Sequence, residues 1–157
     1  MPELSVVRRR LEAQGFAGLD DPTLSELAPW LRWSPAICTL VMAIGVALPS
    51  PTVLWTLAAI AALGAVLPFH PFDLLFNHGV RHLVGTRPLP QHGPQRRFAC
   101  AIATLWLIAT GWAFHGGMTV LGYALGGALV GVAALVSITH ICIPSMIYNA
   151  VFGARRA

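Results

Sequence analysis

The feature that most constrains this chain is a set of four long apolar segments, at residues 31–48, 52–69, 98–114 and 118–141. At a rise of about 1.5 Å per residue, a helix over each would reach roughly 25 Å or more, close to the thickness of a hydrocarbon core. Charged residues make up only 10% of the chain, whereas soluble domains are about a quarter charged. We therefore expect an all-α integral membrane protein, a four-helix bundle. A re-entrant first hairpin is the alternative to two full crossings.

The segments divide the chain into three parts. Residues 1–30 are polar and predict a cytoplasmic N-terminal arm with short helices. Residues 31–150 contain the four spans and a long loop over 70–97, and residues 151–157 form a basic tail. Three cysteines at scattered spacing do not indicate the disulfide framework of a secreted domain.

The positions of the arginines predict the orientation. All ten basic residues are arginines, and none lies in the two short loops 49–51 and 115–117. By the positive-inside rule, both termini are then cytoplasmic and the chain is a multi-pass protein of a bacterial inner membrane. The net charge of +4 is explained by this orientation, so we expect no nucleic acid as a partner. Anionic lipid headgroups are the expected partners of four loop arginines, namely Arg81, Arg87, Arg96 and Arg97.

The loop 70–97 predicts an amphipathic helix on the cytoplasmic leaflet. Pro71 suits a helix start and Gly85 a helix end. One half of the helix would be polar, with an i, i+4 ladder of Asp73, Asn77 and Arg81. The other half, facing the membrane, would carry Phe72, Leu75, Phe76, Val80 and Leu83.

The fourth apolar segment carries two pairs of glycines at i, i+4 spacing, Gly122 with Gly126 and Gly127 with Gly131. Small residues at this spacing let helix backbones approach closely in lipid. The glycines therefore predict either close packing inside the bundle or a flat face that docks another membrane protein or a second copy. Trp106, in the middle of the third segment, could face lipid, a partner or a pigment.

Cysteine and histidine residues cluster at one predicted depth. Counting residues from the span ends places Cys38, Cys100, Cys142 and His140 near the cytoplasmic face. Such a cluster could bind a soft metal ion or exchange disulfides, whereas the alternative is that each thiol only packs. His78 and His82 have the i, i+4 spacing of a helical metal pair, although solvated histidines fit equally. A haem between His70 and His140 is a further alternative.

Three motifs carry a resemblance to a known family: HPFD and NHGVRH in residues 70–82, LPQHGPQRRFAC in residues 89–100, and HICIPSMIY in residues 140–148. The chain resembles an uncharacterised family of small bacterial four-helix membrane proteins, over roughly residues 30–150. Relatives often end the last helix with two cysteines, whereas here only Cys142 is present and Ser145 stands three residues on. The resemblance implies a membrane protein without an established activity.

The function that the sequence favours is a non-catalytic interaction or accessory subunit of a larger membrane assembly. No nucleophile stands next to a base, so an enzyme is the less favoured interpretation. The sequence does not identify a cofactor. A thiol- or metal-handling redox protein is the first alternative, and a small b-type haem protein is the second. Charged residues inside the spans, which are typical of pumps and transporters, are nearly absent.

Overall fold

The structure is a computed structural model that describes residues 2–153. This part of the chain is mostly helical and contains no β-strand. Besides its α-helices, it has a 3₁₀ turn over Trp30–Arg32, which precedes the third helix, and a π-helical turn over Phe76–Val80, which joins the fifth helix to the sixth. The helices are α1 (Pro2–Ala13), α2 (Asp21–Leu27), α3 (Trp33–Ala47), α4 (Pro51–Val66), α5 (Pro71–Leu75), α6 (Arg81–Val84), α7 (Pro94–His115), α8 (Thr119–Thr139) and α9 (Ile143–Phe152).

The four apolar helices α3, α4, α7 and α8 pack side by side in a ring. Helix α3 contacts α4 and α8, and α7 contacts the same two helices on the opposite side. The core between them is apolar and contains Leu54 and Leu57 of α4, Leu107 of α7 and Leu129 of α8. The predicted all-α fold is thus confirmed, and its helices surround a common hydrophobic interior.

Three helical stretches are long and apolar enough to cross a membrane: Trp30–Ala47, Pro94–His115 and Thr119–Thr139. Helix α4 has only 16 residues, or roughly 24 Å at about 1.5 Å per residue. It reaches spanning length only together with Pro71–Val84, from which it is bent by 82°. The chain therefore has three helices able to cross a membrane, or four if this bent pair is one broken span.

Helix α4 is shorter than the sequence predicts. The apolar segment runs to residue 69, but the helix ends at Val66 and Leu67 has extended backbone, with a ψ of 155°. Leu67 precedes Pro68, whose ring disfavours helical backbone at the residue before it. At the other end, Ser50 caps the helix because its hydroxyl accepts a hydrogen bond from the Val53 amide.

The N-terminal arm is folded against the loop and shares a second hydrophobic core with it. Phe76 is fully buried, and its ring lies 5.2 Å from that of Trp30 and 5.8 Å from that of Trp33, between centroids. The remaining buried members of this core are Leu11, Phe16, Leu24, Leu27, Leu31 and Leu89. The Pro-rich end of the loop is therefore ordered by packing on the arm, through Leu89.

The loop helix is present, but its faces differ from those that the sequence predicts. The sequence predicts Asp73 on the polar face and Phe76 on the membrane face, yet both are buried in the protein. Asn77 bonds the backbone of Leu89 through both its amide oxygen and its amide nitrogen, so it does not form the predicted ladder. Asp73 and Phe76 stand three residues apart, so they lie on one side of the helix, and α3 and the arm cover that side. Leu83, 88% exposed, remains available to a membrane surface.

Helix α9 is an element that the sequence analysis missed. Helix α8 ends at Thr139, and His140 takes a left-handed backbone with a φ of 58° that turns the chain. Pro144 then stands in the first turn of α9, a position where its missing N–H costs nothing. The new helix packs against α7 and α1, and the side chain of Asn149 donates to the carbonyl of Ala13 at 2.8 Å. Residues 154–157 of the predicted basic tail, with Arg155 and Arg156, lie outside the described residues.

The two glycine pairs of α8 have different surroundings. A Cβ added at Gly122 would lie 2.6 Å from the ring of Phe114, and one at Gly126 would lie 2.5 Å from a methyl of Val46. These two glycines therefore allow α8 to approach α7 and α3 closely. A Cβ at Gly127 or Gly131 would meet nothing within 4 Å. Each of the two predicted roles, internal packing and an open face, is thus possible for a different pair.

Candidate functional site

A partly open cavity of about 140 Å³ lies inside the helix ring, toward the arm, and is called the central cavity below. All four ring helices line it, and the start of α9 closes one side. The three thiols, on Cys38, Cys100 and Cys142, all line this cavity. The three thiols that the sequence predicts at one depth therefore also lie around one space, whereas His140 does not line it.

Each thiol has a polar or aromatic neighbour. The sulfur of Cys38 lies 3.9 Å from Nε2 of His70. The imidazole of His70 lies over Gly64, where a Cβ would be 2.6 Å from the ring and 3.3 Å from the sulfur of Cys100. The hydroxyl of Ser145 donates to the sulfur of Cys142 at 3.1 Å. All three cysteines are free, and within residues 2–153 no group of three or more His, Cys, Asp and Glu side chains could hold a metal ion.

A buried ionic cluster of Ser34, Asp73 and Arg96 lies at the arm end of the central cavity. The hydroxyl of Ser34 donates to Oδ1 of Asp73, and Nη2 of Arg96 lies 4.0 Å from Oδ2 of the same carboxylate. Asp73 is 3% exposed and Arg96 is 5% exposed. The guanidinium also lies over the ring of Phe16, 5.2 Å from its centroid, a cation–π contact. The cluster thereby ties α3, the loop helix, α7 and the arm together.

The second nitrogen of the guanidinium, Nη1 of Arg96, is buried and has no hydrogen-bond partner among the described residues. Arg96 lines the central cavity, as do Ser34 and His70. Most other lining side chains are apolar, including Trp106, Ala103 and Ala133. The site therefore combines an apolar interior with one buried cationic donor.

A second polar contact closes the arm end, between Arg32 and His140. The Nε of Arg32 donates to Nε2 of His140 at 2.8 Å, so this imidazole is neutral and carries its proton on Nδ1. The backbone carbonyl of His140 accepts from the amide of Gln14 at 2.7 Å, and Arg10 donates to the carbonyl of Thr139. These bonds fix the arm to the end of α8.

Two buried histidines outside the helices are held in the neutral form. Burial, followed by the charge of Arg32, lowers the pKa of His140 to about 4. Burial, followed by the charge of Arg96, lowers the pKa of His92 to about 4. Neither ring nitrogen of His92 has a hydrogen-bond partner within the described part of the chain. Both side chains therefore resist protonation at neutral pH.

The structure separates several residues that the sequence grouped together. His70 lines the central cavity, whereas His140 lines a different pocket beside α1, so they do not share one lining. His78 is exposed and its Nδ1 bonds the carbonyl of Leu74 at 2.8 Å, and His82 is exposed as well. The structure thus shows no single slot that includes both predicted haem ligands among the described residues.

The four loop arginines also differ from one another. Arg96 is a correction, because the sequence predicts it at the membrane surface and the structure buries it in the ionic cluster. Arg97 is exposed, and its guanidinium donates to the carbonyls of Ala65 and Val66 at the end of α4. Arg87 is exposed and pairs with Glu26 at 3.5 Å, while Arg81 bonds the carbonyl of Asn77.

Comparison with known proteins places the chain in a family. Residues 28–152 match the family described as "Domain of unknown function (DUF4395)". The chain belongs to this family. No curated protein and no solved structure matches it. The DUF4395 region includes the ring helices, the loop helix and α9, so it contains all three thiols and the ionic cluster.

The DUF4395 region does not contain every residue of the site. Gln14 and Phe16 belong to the arm, upstream of residue 28, yet Gln14 lines the central cavity and Phe16 contacts Arg96. The sequence analysis missed both, and it also missed the pairing of Ser34 with Asp73. One signal was available: Asp73 is the only acidic residue after Glu26, and a lone carboxylate among arginines is a candidate for a buried ion pair.

Proposed function

We propose that this protein is a non-catalytic accessory subunit that packs beside another membrane protein, or a second copy of itself, in a bacterial inner membrane. The observation that supports this proposal best is the outward face of α8. Gly127 and Gly131 are exposed there and have open space above them. Ala124 and Ala128 are exposed on the same helical face, at i, i+3 and i+4 spacing.

The physical reason is the nature of helix association in lipid. Large apolar side chains gain little by leaving lipid for another helix, because lipid tails are equally apolar. A strip of glycine and alanine lets a second backbone come close enough for extensive van der Waals contact. Gly122 and Gly126 already serve this purpose inside the ring, so the second pair offers the same kind of contact to an outside helix.

A docking experiment tests this role. We expect Gly127→Leu combined with Gly131→Leu to reduce recovery of co-purifying partner, or of dimer, at least tenfold after extraction in mild detergent. Ala59→Leu is the control, since Ala59 is exposed on α4 and the substitution places a leucine away from the strip. Wild-type protein that always elutes as a lone small species would contradict the proposal, and so would equal recovery from the strip variant and the control.

The orientation is part of the same proposal. The arginines of the arm and the 70–97 loop support a cytoplasmic position for both ends of the chain, by the positive-inside rule. Two single cysteines test it in a variant whose native cysteines are alanine. We expect Met118→Cys to react with an impermeant maleimide from the periplasm and Gln91→Cys to react only after permeabilisation; both positions are exposed. The opposite labelling pattern would show the orientation to be wrong.

A thiol- or metal-handling function is the second candidate, and one observation favours it. Cys38, Cys100 and Cys142 line a single cavity, with His70 beside Cys38 at 3.9 Å. Elemental analysis and thiol titration of pure protein test this candidate. Bound metal, or thiol loss on oxidation that requires two of the three cysteines, would favour it over the accessory role. Metal-free protein in which a triple Cys→Ala variant behaves as wild type would remove it.

A further inference from the structure

The central cavity lies inside the ring and is separate from the proposed docking strip, which faces outward on α8. At the end of the ring away from the arm, α7 and α8 are in close contact: Trp106 donates to the carbonyl of Leu125 at 3.1 Å, and Gly126 packs beside Thr110. Toward the arm, Ala103 of α7 and Ala133 of α8 line the cavity and are only half-buried. We therefore place the opening of the cavity between these two helices.

The other sides of the ring are closed. Between α3 and α8, the hydroxyls of Thr39 and Ser137 are hydrogen bonded at 3.2 Å. Between α3 and the end of α4, the sulfur of Cys38 lies 3.9 Å from Nε2 of His70, and between α4 and α7 a Cβ at Gly64 would lie 3.3 Å from the sulfur of Cys100. An opening bounded by apolar side chains of two membrane helices faces lipid tails, so a molecule dissolved in the bilayer is the ligand that can reach it.

The arm end of the cavity selects the head of that molecule. Arg96 is buried, and its Nη1 has no partner among residues 2–153 although it belongs to a cavity-lining side chain. A buried charged donor without an acceptor is costly, so a ligand that supplies an acceptor is stabilised there. The carboxylate of Asp73 already lies 4.0 Å from Nη2 and offsets the charge of the guanidinium. The acceptor therefore needs to be neutral, because a second anion in this apolar space would lack a countercharge.

The remaining lining selects the body of the ligand. A cavity of about 140 Å³ is close to the size that holds one aromatic ring in engineered protein cores. Trp106 offers an aromatic surface beside this space. We propose that the central cavity binds the head of a quinone from the bilayer, with a ring carbonyl accepting a hydrogen bond from Nη1 of Arg96 and the tail leaving between α7 and α8.

Decylubiquinone, added to the full chain in detergent micelles, is the probe that tests this proposal. Binding is followed by quenching of tryptophan fluorescence, and Trp106→Phe identifies the share of quenching that arises in the cavity. We expect saturable quenching in the wild type and at least tenfold weaker binding by Ala133→Leu, which fills the cavity. Ala59→Leu is the matched control, since Ala59 is exposed on α4, away from both the cavity and the docking strip.

The head contact has its own variant. Arg96→Lys keeps the positive charge beside Asp73 but loses the planar pair of Nη donors, and we expect about tenfold weaker binding of decylubiquinone. If this variant does not fold, the pair Ala133→Leu and Ala59→Leu decides alone. Quenching that never saturates, or equal affinities for that pair, would overturn the proposal. Dodecanoate that displaces bound decylubiquinone and itself binds more tightly than the quinone would also overturn the proposal, because the head of the ligand would then be an anion. Recovery of the quenched tryptophan fluorescence measures this displacement.

Discussion

Replacing Asp73 by asparagine should destabilise the protein by about 3 to 5 kcal/mol. The substitution keeps the shape of the side chain and an oxygen that accepts from Ser34, so it removes little besides the charge. Arg96 lies 4.0 Å away, and at an effective dielectric constant of about 20 two unit charges at this separation attract by about 4 kcal/mol. Because both side chains are buried, water does not compensate the lost attraction, and an unpaired guanidinium remains in the interior.

The free energy of unfolding in mixed micelles, titrated with SDS and followed by tryptophan fluorescence, measures this effect. Asp21→Asn is the matched control: Asp21 pairs with Arg8 at the surface, is 72% exposed, and should contribute within about 1 kcal/mol. The double variant Asp73→Asn with Arg96→Gln should be more stable than the sum of the single effects by roughly 2 kcal/mol. An Asp73→Asn protein within 1 kcal/mol of the wild type, or strictly additive effects in the double variant, would refute this account of the ionic cluster.

Three further perturbations have defined outcomes. The free energy of unfolding should fall as the pH drops from 6.5, the ordinary histidine pKa, toward about 4. The reason is that the unfolded chain takes up protons at these two histidines, whereas folded His140 and His92 stay neutral. In unfolding titrations at several pH values, His140→Asn should remove up to about 3 kcal/mol of this pH dependence. Gly126→Ala should cost about 1 to 3 kcal/mol, since its Cβ would lie 2.5 Å from Val46, and Gly127→Ala should be nearly neutral in the same assay. Gln14→Ala should cost about 1 kcal/mol by thermal unfolding, because the 2.7 Å bond to the carbonyl of His140 is lost; an unchanged melting temperature would show that this bond does not hold the arm.

The sequence predicted the apolar helices well because their signals are local. Hydropathy identified the span 98–114, and the helix found there, α7, starts at Pro94 and ends at His115 before Gly116 and Gly117. The span 118–141 corresponds to α8 in the same way, to within two residues at its end. In each case a long apolar run needs no tertiary context to be recognised, and proline or glycine marks its limits.

The polar end of the site was harder to predict because it depends on contacts between distant residues. Arg96 and Arg97 are neighbours in sequence and look equivalent, but α7 turns one toward Asp73 and leaves the other exposed at the end of α4. Asp73 and Phe76 lie on one side of the loop helix, and the sequence alone does not show that α3 and the arm cover that side. Helix α9 was missed because a left-handed His140, rather than a glycine, ends α8.

The site is assembled from two parts of the chain, the DUF4395 region and the arm that precedes it. The ring, the thiols and the ionic cluster lie within residues 28–152, whereas the arm that closes the cavity precedes them. Gly15 explains how the arm comes so close: it has a φ of 93°, and an added Cβ would lie 2.6 Å from the Cα of Gly93, just before α7. Only a pair of glycines permits this backbone contact, and it places Gln14 and Phe16 on either side of the tight turn, against His140 and Arg96. The buried state of Arg96, and with it the unpaired Nη1 that selects a ligand, therefore depends on a segment outside the family region.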